Sequence, residues 1–167
     1  MTVPPTTVRL ALTVNGAPRD VEIETGDFLL DVLRNQLGLT GAKRSCDVQV
    51  CGACTVLLDG RPVSSCTLLA WEARGRAVET IEGVARDGAL HPVQEAFLEA
   101  SAFQCGYCTP GMILSVKALL EEEPEAKPDT VRAWLRGSIC RCTGYVSILD
   151  AVRSAQRRMR ELRVRTT

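Results

Sequence analysis

Eight cysteines divide into two sets of four with no remainder, and each set has the spacing of an iron–sulfur ligand array. The first is Cys46-x4-Cys51-x2-Cys54-x11-Cys66, and the second is Cys105-x2-Cys108-x31-Cys140-x1-Cys142. Any fold of this chain must gather each quartet around one centre, so two separate cradles are required. Structural zinc also takes four cysteines, but usually as two C-x2-C knuckles. Disulfides need an oxidising compartment. A thioredoxin-like C-x2-C at Cys105 and Cys108 leaves the other cysteines unexplained. Iron–sulfur ligation is the reading that uses all eight.

The segments between the cysteines indicate two kinds of structure. "VRLALTV" and "PRDVEIE" read as strands joined by an Asn15-Gly16 turn. "TGDFLLDVLRNQLG" reads as a helix with Leu29, Leu30, Leu33 and Leu37 on one face, Thr25 or Asp27 as its cap and Gly38 at its end. "CTVLL" and "RPVSSC" flank Asp59-Gly60 as a second hairpin, and "AVETIEGV" supplies a last short strand. Two hairpins around one helix point to a β-grasp, ferredoxin-like domain over residues 1–84.

The pattern then changes to helical spacing. "HPVQEAFLEASAF", "TPGMILSVKALLEEE", "PDTVRAWLRG" and "YVSILDAVRSAQRRMREL" are expected to form four helices over residues 85–167. Pro92 and Pro110 suit first turns, and Thr109, Asp129 and Thr143 suit N-caps. The expected fold class is therefore α+β: a β-grasp ferredoxin-like domain followed by an all-α four-helix domain, divided between Gly83 and Gly88. Cys108-Thr109-Pro110-Gly111 and Cys142-Thr143-Gly144-Tyr145 echo each other, each opening a helical run.

Composition bears mainly on what the chain is not. Its formal net charge is zero over 167 residues, which gives no electrostatic reason for nucleic-acid binding. The basic run Arg153, Arg157, Arg158, Arg160, Arg163 and Arg165 reads as a solvated helix face or subunit contact. The N-terminus lacks a basic leader with an apolar core, and no apolar run approaches the roughly 20 residues of a membrane span. A cytoplasmic location is the expectation, one where clustered thiols bind metals or act in redox chemistry.

A cluster held by four thiolates carries negative charge, so it needs amide donors and limited water. The order C-x4-C-x2-C in Cys46–Cys54 is that of plant-type ligand loops. The Asp59-Gly60 turn returns Cys66 to the level of Cys54, while Gly52 and Ala53 let backbone lie close to the sulfides. Cys108 and Cys142 precede expected helix starts, where unpaired N–H groups favour anionic charge. His91 reads as a capping or packing residue. Trp71, Trp134, Phe97 and Phe103 read as core or interface residues, and Tyr107 and Tyr145 as shields beside cysteines.

"CGACTVLLDGRPVSSC" together with "QCGYCTPGM…CRCTGY" resembles the small iron–sulfur subunit of molybdenum hydroxylases of the xanthine oxidase family. That family includes aerobic carbon monoxide dehydrogenases, aldehyde oxidoreductases and N-heterocycle hydroxylases. The match runs from about Val8 to Val152 and includes every cysteine. It implies two 2Fe–2S clusters ligated by Cys46, Cys51, Cys54 and Cys66 and by Cys105, Cys108, Cys140 and Cys142. It also implies an electron path from a molybdopterin centre to FAD. Gln104 and Cys142 stand where the family contacts the pterin.

The chain departs from the family where many members read "GCGEGGCGAC" and this one reads "SCDVQVCGAC", with Ser45, Val48 and Val50. Val48 and Val50 are candidates for contact with a flavin subunit, local packing being the alternative. No phosphate loop or Rossmann glycine fingerprint is present, and no nucleophile or general base stands out. FAD and molybdopterin are thus expected on separate medium and large subunits of a heterotrimer that can dimerise. A free-standing two-cluster ferredoxin and a structural zinc module are the other classes open to such a chain.

Overall fold

The computed structural model describes residues 7–166, with side chains through residue 164. Strands β1 (Thr7–Val14) and β2 (Ala17–Glu24) pair antiparallel around Asn15 and Gly16, whose φ angles of 52° and 79° give the type I′ turn that matches strand twist. Strands β3 (Thr55–Leu58) and β4 (Arg61–Ser64) form the second hairpin around Asp59 and Gly60, at 49° and 80°. Strand β5 (Ala77–Glu79) enters the middle, parallel to β1 and antiparallel to β3. The sheet order is β2-β1-β5-β3-β4.

Leu10, Leu12 and Val14 alternate inward along β1, as a sheet with one wet face requires. They pack with Leu29, Leu30 and Leu33 below the sheet. The helix between the hairpins is shorter than its sequence pattern implies: α1 (Leu29–Asp31) passes at once into a π-helical turn, Val32–Gln36. Neither Thr25 nor Asp27 caps it, because the Asp27 carboxylate instead accepts the Glu24 N–H at 2.9 Å and closes the strand end. Phe28 occupies the cap position in extended conformation, bridged to Leu69. Gly38, at φ 69°, does end the segment.

Helices α2 (Pro92–Glu99), α3 (Thr109–Glu122), α4 (Pro128–Trp134) and α5 (Val146–Thr166) follow, completing an α+β fold with a mixed sheet and five helices. Helix α3 is buried from Gly111 to Leu120. One side carries Met112, Val116 and Leu119 into a core with Phe97, Val131 and Ile148. Another side brings Leu114 and Ala118 onto Leu57. This second contact explains why all four residues of β3 are buried: Val56 and Leu58 face the sheet's core, and Leu57 faces α3.

His91 caps α2, its Nδ1 accepting the Val93 N–H at 3.2 Å. The other expected caps move. Cys108 and Lys127 occupy the N-cap positions of α3 and α4, with Thr109 and Asp129 inside the first turns. Thr143 accepts the Tyr145 N–H in a local turn ahead of α5. Phe97 is core, Trp134 donates to the Ser115 carbonyl at 2.9 Å, and Trp71 and Phe103 remain partly exposed. Within the basic run, Arg153 pairs with Asp150 at 2.8 Å, and Arg158 pairs with Glu95 at 2.9 Å and with Glu99. Part of that charge is thus neutralised within the chain; the Arg165 side chain lies outside the described residues. No described helix is long and apolar enough to cross a membrane.

Two adjoining cysteine cradles

The first cradle is an irregular loop between the π-helical turn and β3. Asp47, Gln49 and Gly52 take left-handed φ angles of 56°, 61° and 72°. This alternation folds successive amides to one side, so the N–H groups of Val48, Val50 and Cys51 converge on the Cys46 sulfur, a backbone nest for an anion. The Cys51 N–H lies 3.4 Å from that sulfur. These donors pull the Cys46 thiol down to about 7.

The departure from the glycine-rich loop has its consequence at Asp47 and Gln49 rather than at Ser45, Val48 or Val50. The two left-handed non-glycine residues are tied down by their own side chains. Asp47 pairs with Arg44, which also grips Asp31 at 2.7 Å, and Gln49 donates to the Thr67 hydroxyl. Sequence reading passed over both positions, although Asp and Gln in place of glycine beside a ligand cysteine was the available signal. Val48 and Val50 are 64% and 54% exposed, so they do not pack under the loop.

Cys54 and Cys66 close this cradle at the open end of the β3–β4 hairpin. Ser65 stands opposite Cys54 and donates its hydroxyl to the Cys54 carbonyl at 2.6 Å. Both sulfur residues are 2% exposed. Burial, reinforced by the neighbouring Cys66 and Cys51 sulfurs, pushes the Cys54 thiol up to about 11. Such a thiol is a poor nucleophile at neutral pH and becomes a thiolate only when a cation takes the proton's place.

The second cradle joins the start of α3 to the loop before α5. Cys105 and Cys142 are exposed, with their sulfurs 3.6 Å apart. Cys108 lies deeper, pushed up to about 12 by burial and by the adjacent Cys140. Burial also raises Cys140, but the Thr143 hydroxyl, 3.2 Å from its sulfur, and nearby amides bring it below the ordinary thiol value. Only Cys108 sits at a helix start. Gly144 and Tyr145, both left-handed, separate Cys142 from Val146, so the expected pair of helix N-termini reduces to one.

The tyrosines brace the site as well as flanking it. The Tyr145 hydroxyl accepts the Cys140 N–H at 2.9 Å and donates to the Ser138 carbonyl at 3.0 Å. Tyr107 donates to the Arg44 carbonyl, linking the loop after Cys105 to the first cradle, and Lys43 lies 5.9 Å from its ring centroid. Gln104 is exposed beside Cys105.

The donor sets suit a binuclear cluster. In each cradle neighbouring thiols approach one another, Cys46 with Cys51 and Cys54 with Cys66, then Cys105 with Cys142 and Cys108 with Cys140. A tetrahedral zinc site would draw four sulfurs to one point, whereas two bridged irons spread them in twos. The convergent amides supply the donors that a negatively charged cluster needs.

The chain matches two family models, a 2Fe-2S iron-sulfur cluster binding domain over residues 12–81 and a [2Fe-2S] binding domain over residues 80–153. It is 46% identical to the nicotinate dehydrogenase small FeS subunit of Eubacterium barkeri, across 90% of this chain and 96% of that one. It is also 46% identical to the nicotine 6-hydroxylase small subunit of Paenarthrobacter nicotinovorans, across 89% of each chain. Quinoline 2-oxidoreductase from Pseudomonas putida 86 contains a chain that superposes with a TM-score of 0.89 at 40% identity, covering 94% of this chain and 98% of that chain. Aldehyde oxidoreductase from Desulfovibrio gigas superposes at 0.88 and 40% identity, covering 92% of this chain but 17% of that longer one.

Proposed function

Since this chain belongs to the small iron–sulfur subunits of the molybdenum hydroxylase family, we propose that Cys46, Cys51, Cys54 and Cys66 ligate one of its two 2Fe–2S clusters and Cys105, Cys108, Cys140 and Cys142 the other. It is the electron-transfer subunit of a multi-subunit oxidoreductase and is itself non-catalytic. When bound, each cluster takes up and gives back one electron. The chain's contribution is to hold the thiolates, aim amides at them, and present one edge of each cradle to a partner. The observation that carries the assignment is the pairing of the thiols in two cradles that share a packed boundary.

Residues 1–84 form a β-grasp cluster domain and residues 85–167 a four-helix cluster domain in this reading. Exposed Gln104, Cys105 and Cys142 mark the edge that meets a molybdopterin-binding large subunit, where Gln104 and Cys142 contact the pterin. Exposed Val48 and Val50 mark the edge that meets an FAD-binding medium subunit. The assembly is a cytoplasmic heterotrimer that can dimerise.

The purified native complex, reduced and examined by EPR, is expected to show two distinct 2Fe–2S signals with stoichiometric molybdenum and flavin. A colourless, EPR-silent protein containing zinc would overturn the ligand assignment, and a stable monomer that never co-purifies with flavin or molybdenum would favour the diffusible ferredoxin. Val48→Asp and Val50→Asp place a charge in an apolar contact, each costing at least tenfold in affinity for the flavin subunit by about 2 kcal/mol of desolvation. Undiminished binding in a co-purification titration removes these residues from the interface.

A further inference from the structure

Besides the Tyr107–Arg44 link, the two cradles meet at the Cys51–Gly52 peptide. The Ile139 N–H donates to the Cys51 carbonyl at 2.9 Å, so the residue before Cys140 is bonded directly to the backbone of a cysteine in the first set. The next residue, Gly52, fills a slot with no room for a side chain: a Cβ there would lie 2.3 Å from the Gly137 carbonyl oxygen and 3.0 Å from the Ser138 Cα. Against its other side lies Gly111, in the first turn of α3 three residues after Cys108. A Cβ at Gly111 would lie 2.2 Å from the Gly52 carbonyl oxygen. These are obstructions by backbone atoms, which no change of rotamer relieves.

Gly111 is the more telling of the two. Its backbone is helical and needs no left-handed φ, so the conformational freedom of glycine serves nothing there. Glycine costs a helix interior about 1 kcal/mol relative to alanine. What it provides is close approach: the helix that begins at Cys108 lies directly on the loop that carries Cys51 and Cys54. The Cys51–Gly52 peptide is thus clamped between both arms of the second cradle, α3 on one side and residues 137–139 on the other.

We propose that Gly52, Gly111 and Ile139 are positioning residues that set the separation and the electronic coupling of the two clusters. The Cys51–Ile139 hydrogen bond provides a backbone link between their ligands. The contact involves no proton transfer and no change of covalent bonds. This inference rests on the ligand assignment made above.

The test uses the purified complex, fully reduced with dithionite, and reads the magnetic splitting between the two reduced clusters in low-temperature EPR. The wild type is expected to show two cluster signals that split each other. Gly111→Ala is expected to keep both signals and lose the splitting. Gly137→Ala adds the same methyl group in the neighbouring loop but meets nothing within 4 Å, and is expected to match the wild type. Ile139→Pro removes the N–H donor by an independent route. Ser138, at φ −131° and ψ 97°, lies outside the α region that a following proline disfavours. Ile139→Pro is likewise expected to keep both signals and lose the splitting.

An unchanged splitting in either Gly111→Ala or Ile139→Pro at full iron content overturns the proposal. Loss of a cluster from both variants also overturns it, by assigning the contact to folding rather than coupling. A wild type with fewer than two cluster signals defeats the ligand assignment instead.

Discussion

Cys54→Ala is expected to abolish one 2Fe–2S signal, remove about half of the chain's iron, and leave the other signal intact. Cys54 sits at the open end of the β3–β4 hairpin, 2% exposed and against Cys66. No other buried thiol can replace it, because the remaining cysteines outside its set belong to the second cradle. That cradle is anchored on a different core, the one formed by α2, α3, α4 and α5, so it survives the loss. The buried alanine itself fits where a cysteine packed, and its direct cost is small. The larger consequence is the loss of a crosslink that ties residues 46–54 to residue 66, so the thermal transition of the sheet half should fall with its iron. Iron analysis and EPR of the reduced variant read the result, and persistence of both signals would remove Cys54 from the ligand set.

The second large effect is at Lys117, on the buried face of α3. Its ammonium pairs with Glu79 of β5 at 2.8 Å and with Glu121 at 2.9 Å. It thereby ties the helical half to the centre of the sheet. Lys117→Met preserves the aliphatic stem but leaves Glu79, only 21% exposed, with the solvent-exposed Arg86 guanidinium at 3.9 Å as its remaining countercharge. Breaking a buried pair in this way costs about 3 kcal/mol, whereas Glu121 can turn to solvent. The urea midpoint should fall accordingly, and Lys117→Met with Glu79→Gln should recover part of the loss. An unchanged midpoint for the single variant would show that the pair contributes nothing. Burial lowers the Lys117 pKa, but the two carboxylates outweigh it and hold the value above the ordinary 10.5. A raised folded-state value means the stabilisation is complete below pH 10.5 and is lost only as alkali rises past the folded-state pKa.

The elements legible in the sequence were those that obey local rules. Asn15-Gly16 and Asp59-Gly60 specify tight hairpins because few other pairs accept left-handed angles in succession. The apolar period of residues 146–162 identifies a helix irrespective of its neighbours. His91 read as a capping or packing residue, and it caps α2. Where a local rule had a competitor, tertiary structure prevailed. Asp27 had a choice between capping α1 and closing the end of β2, and it closes the strand while Phe28 takes the cap position, bridged through its backbone to Leu69. Thr143 was drawn from a helix cap to the Cys140 sulfur and the Tyr145 amide.

The same division runs through the site. The grouping of the cysteines into two proposed quartets was read from their spacing, and the fold brings together Cys105 and Cys142, 37 positions apart along the chain. The left-handed angles at Asp47 and Gln49 escaped sequence reading. The side-chain ties that hold them, to Arg44 and Thr67, become visible only when the loop closes.

By itself, then, the sequence pointed to two groups of four cysteines, one among strands and one among helices, because cysteine count and local periodicity are properties of the chain. Only the tertiary structure decided how the centres relate. Beyond the Tyr107 hydroxyl, the boundary between them is built from Gly52, Gly111 and the Ile139 amide, groups with no side-chain signature. Their role arises from backbone passing against backbone, a contact between residues far apart along the chain that no local pattern encodes.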